Sequence, residues 1–356
     1  MTYMIGLAAM LIVLGLLPQQ YGLQQKNHKM YLIVGGVLIT LIMGLRSMHT
    51  GSGDTYVYAW RYKYYQGFDA FQEYYDLDLA DNHILMSEAG FHWCVFIMGR
   101  IFDDPQVLIF TSSLFITYSV CRFIYKNSSD GFLSLLVYTC LGMFTFNMNG
   151  MRQALAMAVC LFAFERAKKQ KLISFVIVVL IAMQFHKTAI CFFPVFFLPK
   201  VKNTKGNILL YVGGIMVFLL ALDSLILTYN DMSGKEYGTD SSIEGGGLFV
   251  VLLYLFGLIL TLIQKNAIKD KKVAVPLLGT IAGLAAYVAR YFSNQMMERI
   301  SYYFFYFLIL LIPEAILHLS ERDRKIVRWL FIVFAFALFS YRIYNGSFRD
   351  FTLYFQ

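Results

Sequence analysis

Charge is what this sequence has least of. Only 15% of its 356 residues are Asp, Glu, Lys or Arg, against about 25% in an ordinary soluble domain. Hydrophobic residues make up 58%, and the mean hydropathy is +0.59. Runs of 15 to 20 residues pass with hardly a charge, long enough as helix to cross a hydrocarbon core of about 30 Å. The period-2 alternation of a membrane barrel is missing, and lipid satisfies no free backbone groups, so the spans must be helices. No interval between them is long enough for a soluble domain. A CxxC pair is missing too: Cys94, Cys121, Cys140, Cys160 and Cys191 lie in or beside apolar segments, which gives no disulfide and no structural metal. There is no Gly-x-Ser-x-Gly, P-loop or GxGxxG, which disfavours hydrolase-fold chemistry and ATP-driven transport. Asp76 and Asp78 have no further ligands nearby, and His83, Glu88 and His92 do not share a helical face, so no metal cluster forms there. No repeat or low-complexity tract is visible.

What is present is an ordered pattern of charge. Apolar segments run roughly 3–17, 30–45, 106–125, 131–147, 152–167, 172–185, 188–199, 207–228, 247–264, 273–291, 299–318 and 326–344. Met1–Leu17 lacks a basic n-region and a small-residue cleavage site, so it is expected to be a retained first helix. Basic clusters sit in alternate connections: Lys26/Lys29, Arg122/Lys126, Arg166–Lys171, Lys200–Lys205, Lys265–Lys272 and Arg322–Arg328. Placing all of them in the cytoplasm accounts for the net charge of +8 without nucleic acid. The expected architecture is one all-α polytopic membrane domain over residues 1–356, with about 12 transmembrane helices and both termini outside. Residues 88–102 would form a re-entrant or interfacial helix within an outer segment 46–104, and 229–246 would be a second outer loop. The 188–199 segment is short for a full span.

The outer face then carries ionisable residues that topology does not explain. Arg46 ends the second span, followed by Gly51, Gly53, Asp54 and Tyr58. A snorkelling Arg and an ordinary turn account for each half, yet together they set a cation beside a carboxylate on a flexible turn. Glu88 opens its helix either as a plain first-turn acid or as a general base at the bundle mouth. Arg152 is the most telling. It starts a helix, where a cation opposes the dipole, on the face the positive-inside rule leaves poor in cations. A charge near the apolar region costs about 2.5–3.5 kcal/mol on insertion scales. An anion such as phosphate, held by the guanidinium and the helix N-terminal amides, would offset it. His186 interrupts two apolar segments. Arg290 and the run Glu298, Arg299, Tyr302 suit either an ion pair between helices or ligand binding. The aromatics of 56–75 suit a membrane belt or a glycan platform.

In order, Arg46-x4-Gly51-x-Gly53-Asp54-x3-Tyr58, Glu88-x2-Phe91, Arg152-Gln153-Ala154-Leu155-Ala156, His186-x-Thr188-Ala189 and Glu298-Arg299-x2-Tyr302 resemble the EpsG family of Wzy-like bacterial exopolysaccharide polymerases. The resemblance implies a GT-C-like membrane glycosyltransferase at the outer, periplasm-facing side of the bacterial inner membrane. It would join oligosaccharide repeat units carried on undecaprenyl pyrophosphate, with that lipid pyrophosphate as leaving group and inversion at the anomeric centre. No cofactor or metal is implied; the partners are the lipid-linked glycan donor and acceptor and the bilayer, alongside a chain-length regulator and a flippase. Glu88, then Asp54, is the expected base. Arg152 with Arg290 or Arg299, supported by Arg46, would bind pyrophosphate, and His186, Gln153, Glu298 and Tyr302 complete the expected site. The competing readings are a flippase for the same glycans, another lipid-carrier transferase (a ligase or an acyltransferase, with His28 or His318 facing the cytoplasm), or a structural subunit.

Overall fold

The computed structural model describes residues 1–20, 28–51, 54–67, 88–201, 205–233, 247–264, 267–291 and 296–355. Among them regular structure is helical, apart from one isolated antiparallel bridge between Arg46 and Leu353. The helices are α1 (Thr2–Gln20), α2 (His28–Gly44), α3 (Asp54–Tyr65), α4 (Ala89–Ile101), α5 (Gln106–Asn127), α6 (Gly131–Cys140), α7 (Met143–Asn149), α8 (Met151–Lys168) and α9 (Leu172–Met183). A 3₁₀ segment, Lys187–Phe196, precedes α10 (Lys205–Ser233), α11 (Gly247–Leu262), α12 (Lys271–Ala289), α13 (Met296–Leu317) and α14 (Glu321–Asn345).

Helices α5, α12, α13 and α14 are long and apolar enough to cross a bilayer, and α6 with α7 makes one more span if the bent pair is counted together. Shorter apolar helices fill the bundle around them. The chain is an all-α, multi-pass membrane protein. Exposed apolar side chains such as Val13, Val37, Ile173, Leu209 and Val333 belong to a lipid-facing surface.

At the centre stands α13, whose apolar window is 89% buried by protein, whereas that of α14 is 28% buried and lies at the periphery. Close approach of α12 to its neighbours depends on two glycines one turn apart, Gly279 against α13 and Gly283 against α11. A Cβ at Gly279 would lie 2.2 Å from Phe307 Cγ, and one at Gly283 would lie 2.6 Å from the Tyr254 hydroxyl. Small residues at that spacing let helices pack where the hydrophobic effect does not drive association.

Two expected spans differ from expectation. The 188–199 stretch is a 3₁₀ run with Pro194 inside it, because proline supplies no N–H to an α-helical ladder. The 131–147 stretch breaks at Leu141–Gly142, and α6 and α7 meet at 51°. Gly142 adopts φ +113°, and a Cβ there would fall 2.5 Å from Arg342 Nη1, so only glycine fits.

The two ends of the bundle differ in character. At one end the basic connections gather: Lys168 donates to Asn127 (2.6 Å), Lys272 to Ser129 (3.1 Å), and Arg328 pairs with Asp130. There His28 Nδ1 accepts from the Gly131 amide (3.1 Å). At the other end the chain after α14 doubles back over the end of α2. Ser47 N–H donates to Thr352 O (3.0 Å) and Tyr354 N–H to Leu45 O (2.8 Å), and Phe351 lies beside Tyr3.

Arg46 fastens this second end. Only 1% exposed, it donates to Met148 O (2.9 Å), Ser113 Oγ (3.3 Å), Thr55 Oγ1 (3.4 Å) and Met43 O. Hydrogen bonds from a charged donor contribute about 1.5–3 kcal/mol each. Arg46→Met is therefore expected to destabilise the fold by roughly 3 kcal/mol. Thermal unfolding in detergent, followed by thiol labelling of buried Cys140, Cys160 and Cys191, checks it; an unchanged midpoint would deny Arg46 this role.

Candidate functional site

The break before α7 and the turn at Gly150 bring the first turn of α8 into the interior of the second end. Gly150 stands at the N-cap, and no side chain caps the helix. That turn walls a cavity of about 270 Å³, lined by Tyr58 and Arg61 of α3, Phe146 and Asn149 of α7, Arg152 and Gln153 of α8, His186 and Arg299. An uncapped helix N-terminus attracts anions through its amides and dipole. Three arginines share the same walls.

Arg152 is held from behind. Its Nη1 lies 2.6 Å from Glu88 Oε2, its Nε donates to the Tyr58 hydroxyl (3.3 Å), and its guanidinium lies over the Tyr58 and Phe91 rings at 5.6 and 5.9 Å. The other Glu88 oxygen accepts from the Lys187 amide (3.3 Å) and stands 4.0 Å from His186 Nε2. Glu88 thus ties α4, α8 and the turn before the 3₁₀ segment together. Expected at the bundle mouth as a base, it is 9% exposed and sits behind the cavity wall rather than on it.

The His186 ring does line the cavity. Its Nδ1 shares a 2.6 Å hydrogen bond with Thr188 Oγ1, whose hydroxyl donates to Tyr303 (3.1 Å). With the Thr188 proton directed to Tyr303, the Nδ1 proton fills the first bond, leaving Nε2 as an acceptor. Burial, reinforced by Arg152, Arg299 and Lys187, pushes the ring down to about 3, so it is neutral at ordinary pH. Gln153 closes the floor by donating to Arg299 O (2.6 Å).

The structure therefore brings Arg152, Gln153, His186 and Arg299 onto one cavity, with Glu88 behind them. It places Arg46 deeper, beneath Met148, where its guanidinium serves backbone carbonyls. Arg290, Glu298 and Tyr302 form a neighbouring cluster: Arg290 pairs with Glu298 and donates to Tyr287 (2.9 Å), while Tyr302 donates to Glu298 (2.7 Å). Nothing is described of the Asp54 side chain; Gly53, the aromatics from Phe68 to Tyr75, Asp76, Asp78, His83 and the 234–246 part of the second outer loop lie outside the described residues. Sequence reasoning missed Arg61 and Asn149. Arg61 could have been found, because it lies three residues after Tyr58 on the same helical face.

A family model described as the EpsG family matches residues 29–355. The chain belongs to the EpsG family. No curated protein and no solved structure matches it. EpsG membership points to a membrane polysaccharide polymerase of glycosyltransferase type.

Burial pushes the Glu88 carboxyl above its ordinary value of 4.5, and the opposing pull of Arg152, the Lys187 amide and charge, and Arg299 does not cancel that. The folded protein then binds the proton more tightly than the unfolded chain, so the Glu88 contribution to stability is lost as pH rises from 4.5 through the higher folded value. Over that window wild type is expected to lose stability relative to Glu88→Gln, as measured by thermal midpoints at a series of pH values. The opposite slope would mean that Arg152 outweighs burial.

Proposed function

We propose that this EpsG-family polymerase joins oligosaccharide repeat units carried on undecaprenyl pyrophosphate, at the outer face of the bacterial inner membrane. The supporting observation is the cavity at the end opposite the basic connections, where Arg61, Arg152 and Arg299 meet the first turn of α8. Three guanidiniums thus share the wall of one cavity, and Glu88 holds that of Arg152 from behind at 2.6 Å. Planar guanidiniums beside helix N-terminal amides suit the oxygens of a pyrophosphate head group.

In the reaction the acceptor hydroxyl oxygen attacks the anomeric carbon of the donor while the bond from that carbon to the pyrophosphate oxygen breaks. The bonding electrons leave with the pyrophosphate, whose growing charge Arg152 and Arg299 stabilise, and the hydroxyl proton passes to a protein base. His186 is the cavity-facing candidate for that base, with Glu88 beside it. One displacement inverts the anomeric centre. The arginines carry the charge neutralisation, and no metal is invoked. Basic connections at one end suit the positive-inside rule, which favours the outer face for the cavity.

A flippase for the same lipid is the competing reading, and it is less well supported because the cations gather at one end of the bundle rather than near its middle. The test is polymerisation in liposomes from lipid pyrophosphate-linked repeat units, without nucleotide sugar, read as a glycan ladder. Arg152→Ala is expected to reduce laddering about a hundredfold or more. A full ladder in that variant overturns the assignment. Protein-dependent movement of the lipid with no ladder from a cognate substrate would turn the reading to a flippase.

A further inference from the structure

Beyond Phe146 and Asn149 lies a second cavity of about 520 Å³, and those two residues line both. Phe146 packs against Tyr302 with ring centroids 4.1 Å apart and the planes tilted by 32°, so the partition is a thin aromatic one. This second space is bounded by Gly142 and Thr145 on one side and by Arg342, Asn345 and Ser347 on the other. It opens at the same end of the bundle as the first cavity.

Arg342 is the residue that asks for an explanation. It lies at the end of α14 remote from the basic connections, where the positive-inside rule gives it no topological role. Among the described residues its guanidinium makes no ion pair and donates no hydrogen bond; it lies over the Phe249 ring at 5.5 Å and against Gly142. Glu298, the nearest acid of the neighbouring cluster, is already engaged by Arg290 and Tyr302. A half-buried cation without an anion is costly at a membrane protein's interior. The surrounding Asn149, Thr145, Ser347 and Asn345 offer amides and hydroxyls, and Phe146 and Tyr302 offer ring edges and faces. That is the chemistry that recognises a sugar, with one planar cation matched to a carboxylate.

We propose that this second cavity is the acceptor glycan subsite, and that Arg342 selects acceptors bearing a carboxylated sugar of the uronic acid type. The inference rests on the polymerase reading and adds the substrate class. A donor head group in the first cavity and an acceptor in the second would meet at the Phe146–Asn149 partition. The carboxylated sugar pairs bidentately with Arg342, and the neighbouring non-reducing sugar reaches past Asn149 with its hydroxyl.

The experiment uses the full chain in detergent, with two unlinked probes of equal length, an oligogalacturonate and a neutral malto-oligosaccharide, and separately inorganic pyrophosphate. Wild type is expected to prefer the acidic probe over the neutral one by about tenfold or more. Arg342→Gln should abolish that preference and leave pyrophosphate binding intact, Arg342→Lys should keep part of it, and Arg152→Gln should do the reverse of Arg342→Gln. Thiol labelling of the buried cysteines verifies that each variant is folded. If Gln at 342 unfolds the protein, the folded Lys variant decides: an undiminished preference refutes bidentate pairing. Pyrophosphate binding without acidic-probe preference overturns the acceptor proposal alone. Loss of pyrophosphate binding from wild type would instead undo the polymerase reading.

Discussion

A helix that stops inside an apolar bundle leaves backbone carbonyls that lipid cannot satisfy, and most of this site follows from how the chain satisfies them. The span beginning at Gly131 bends at Gly142 and ends at Asn149, before α8 starts afresh at Met151. Arg46 takes up the Met148 carbonyl, and Thr55 donates to the same oxygen at 3.2 Å. Asn147 reaches the hydroxyls of Tyr138 and Tyr306 at 3.0 and 3.2 Å. With those bonds made, α7 can hold Phe146 and Asn149 between two cavities and present the first turn of α8 to one of them. A continuous helix from 131 to 147 would need none of them and would fill the space.

Ionic contacts then divide the labour. Glu88 and Arg152 make a pair in which the acid is the more buried partner, so the carboxylate orients and the guanidinium remains available to the cavity. Such a pair is weak evidence for stability, since desolvation offsets much of its attraction. Its value lies in position: the same carboxylate also fixes the Lys187 amide and so the approach of His186. The Arg290–Glu298–Tyr302 cluster works similarly on the other side of Phe146, bracing α12 against α13 behind the partition.

The sequence made several of these features legible, for physical reasons. Helical membrane architecture follows from long uncharged runs, and the gathering of basic connections at one end follows from their alternation. Arg152 betrayed itself by standing at a helix N-terminus, where a cation is unfavourable, and Glu88 and His186 do meet it. What stayed hidden depends on the third dimension. Gly142 sits in an unbroken apolar run, and nothing in residues 131–147 announces that the glycine has positive φ. Arg46 looked like a site residue because one charge at a span end gives no sign of which carbonyls it will reach. Glu298 and Tyr302 share a motif with Arg299, yet helix geometry turns Arg299 toward one cavity and Tyr302 toward the other. Arg342 carried no motif at all; its meaning comes from Gly142, two hundred residues earlier in the chain.

The electrostatics of the cavity also bear on how a base could work there. Arg152, Arg299 and Lys187 add to burial in holding the His186 ring down to about 3, which makes it a weak acceptor of protons. A pyrophosphate between those arginines would cancel the repulsion they exert on an imidazolium and add an attraction of its own. Burial would still oppose the charged ring, but the proton would now enter a site whose net charge is near balance. Glu88, 4.0 Å from Nε2, would share in stabilising that charge as it formed. On the proposed reading, the donor head group would raise the basicity that its own displacement requires. On that reading an acceptor reaching the cavity before the donor would meet a weaker base, and chemistry would be coupled to the loaded state without any moving part.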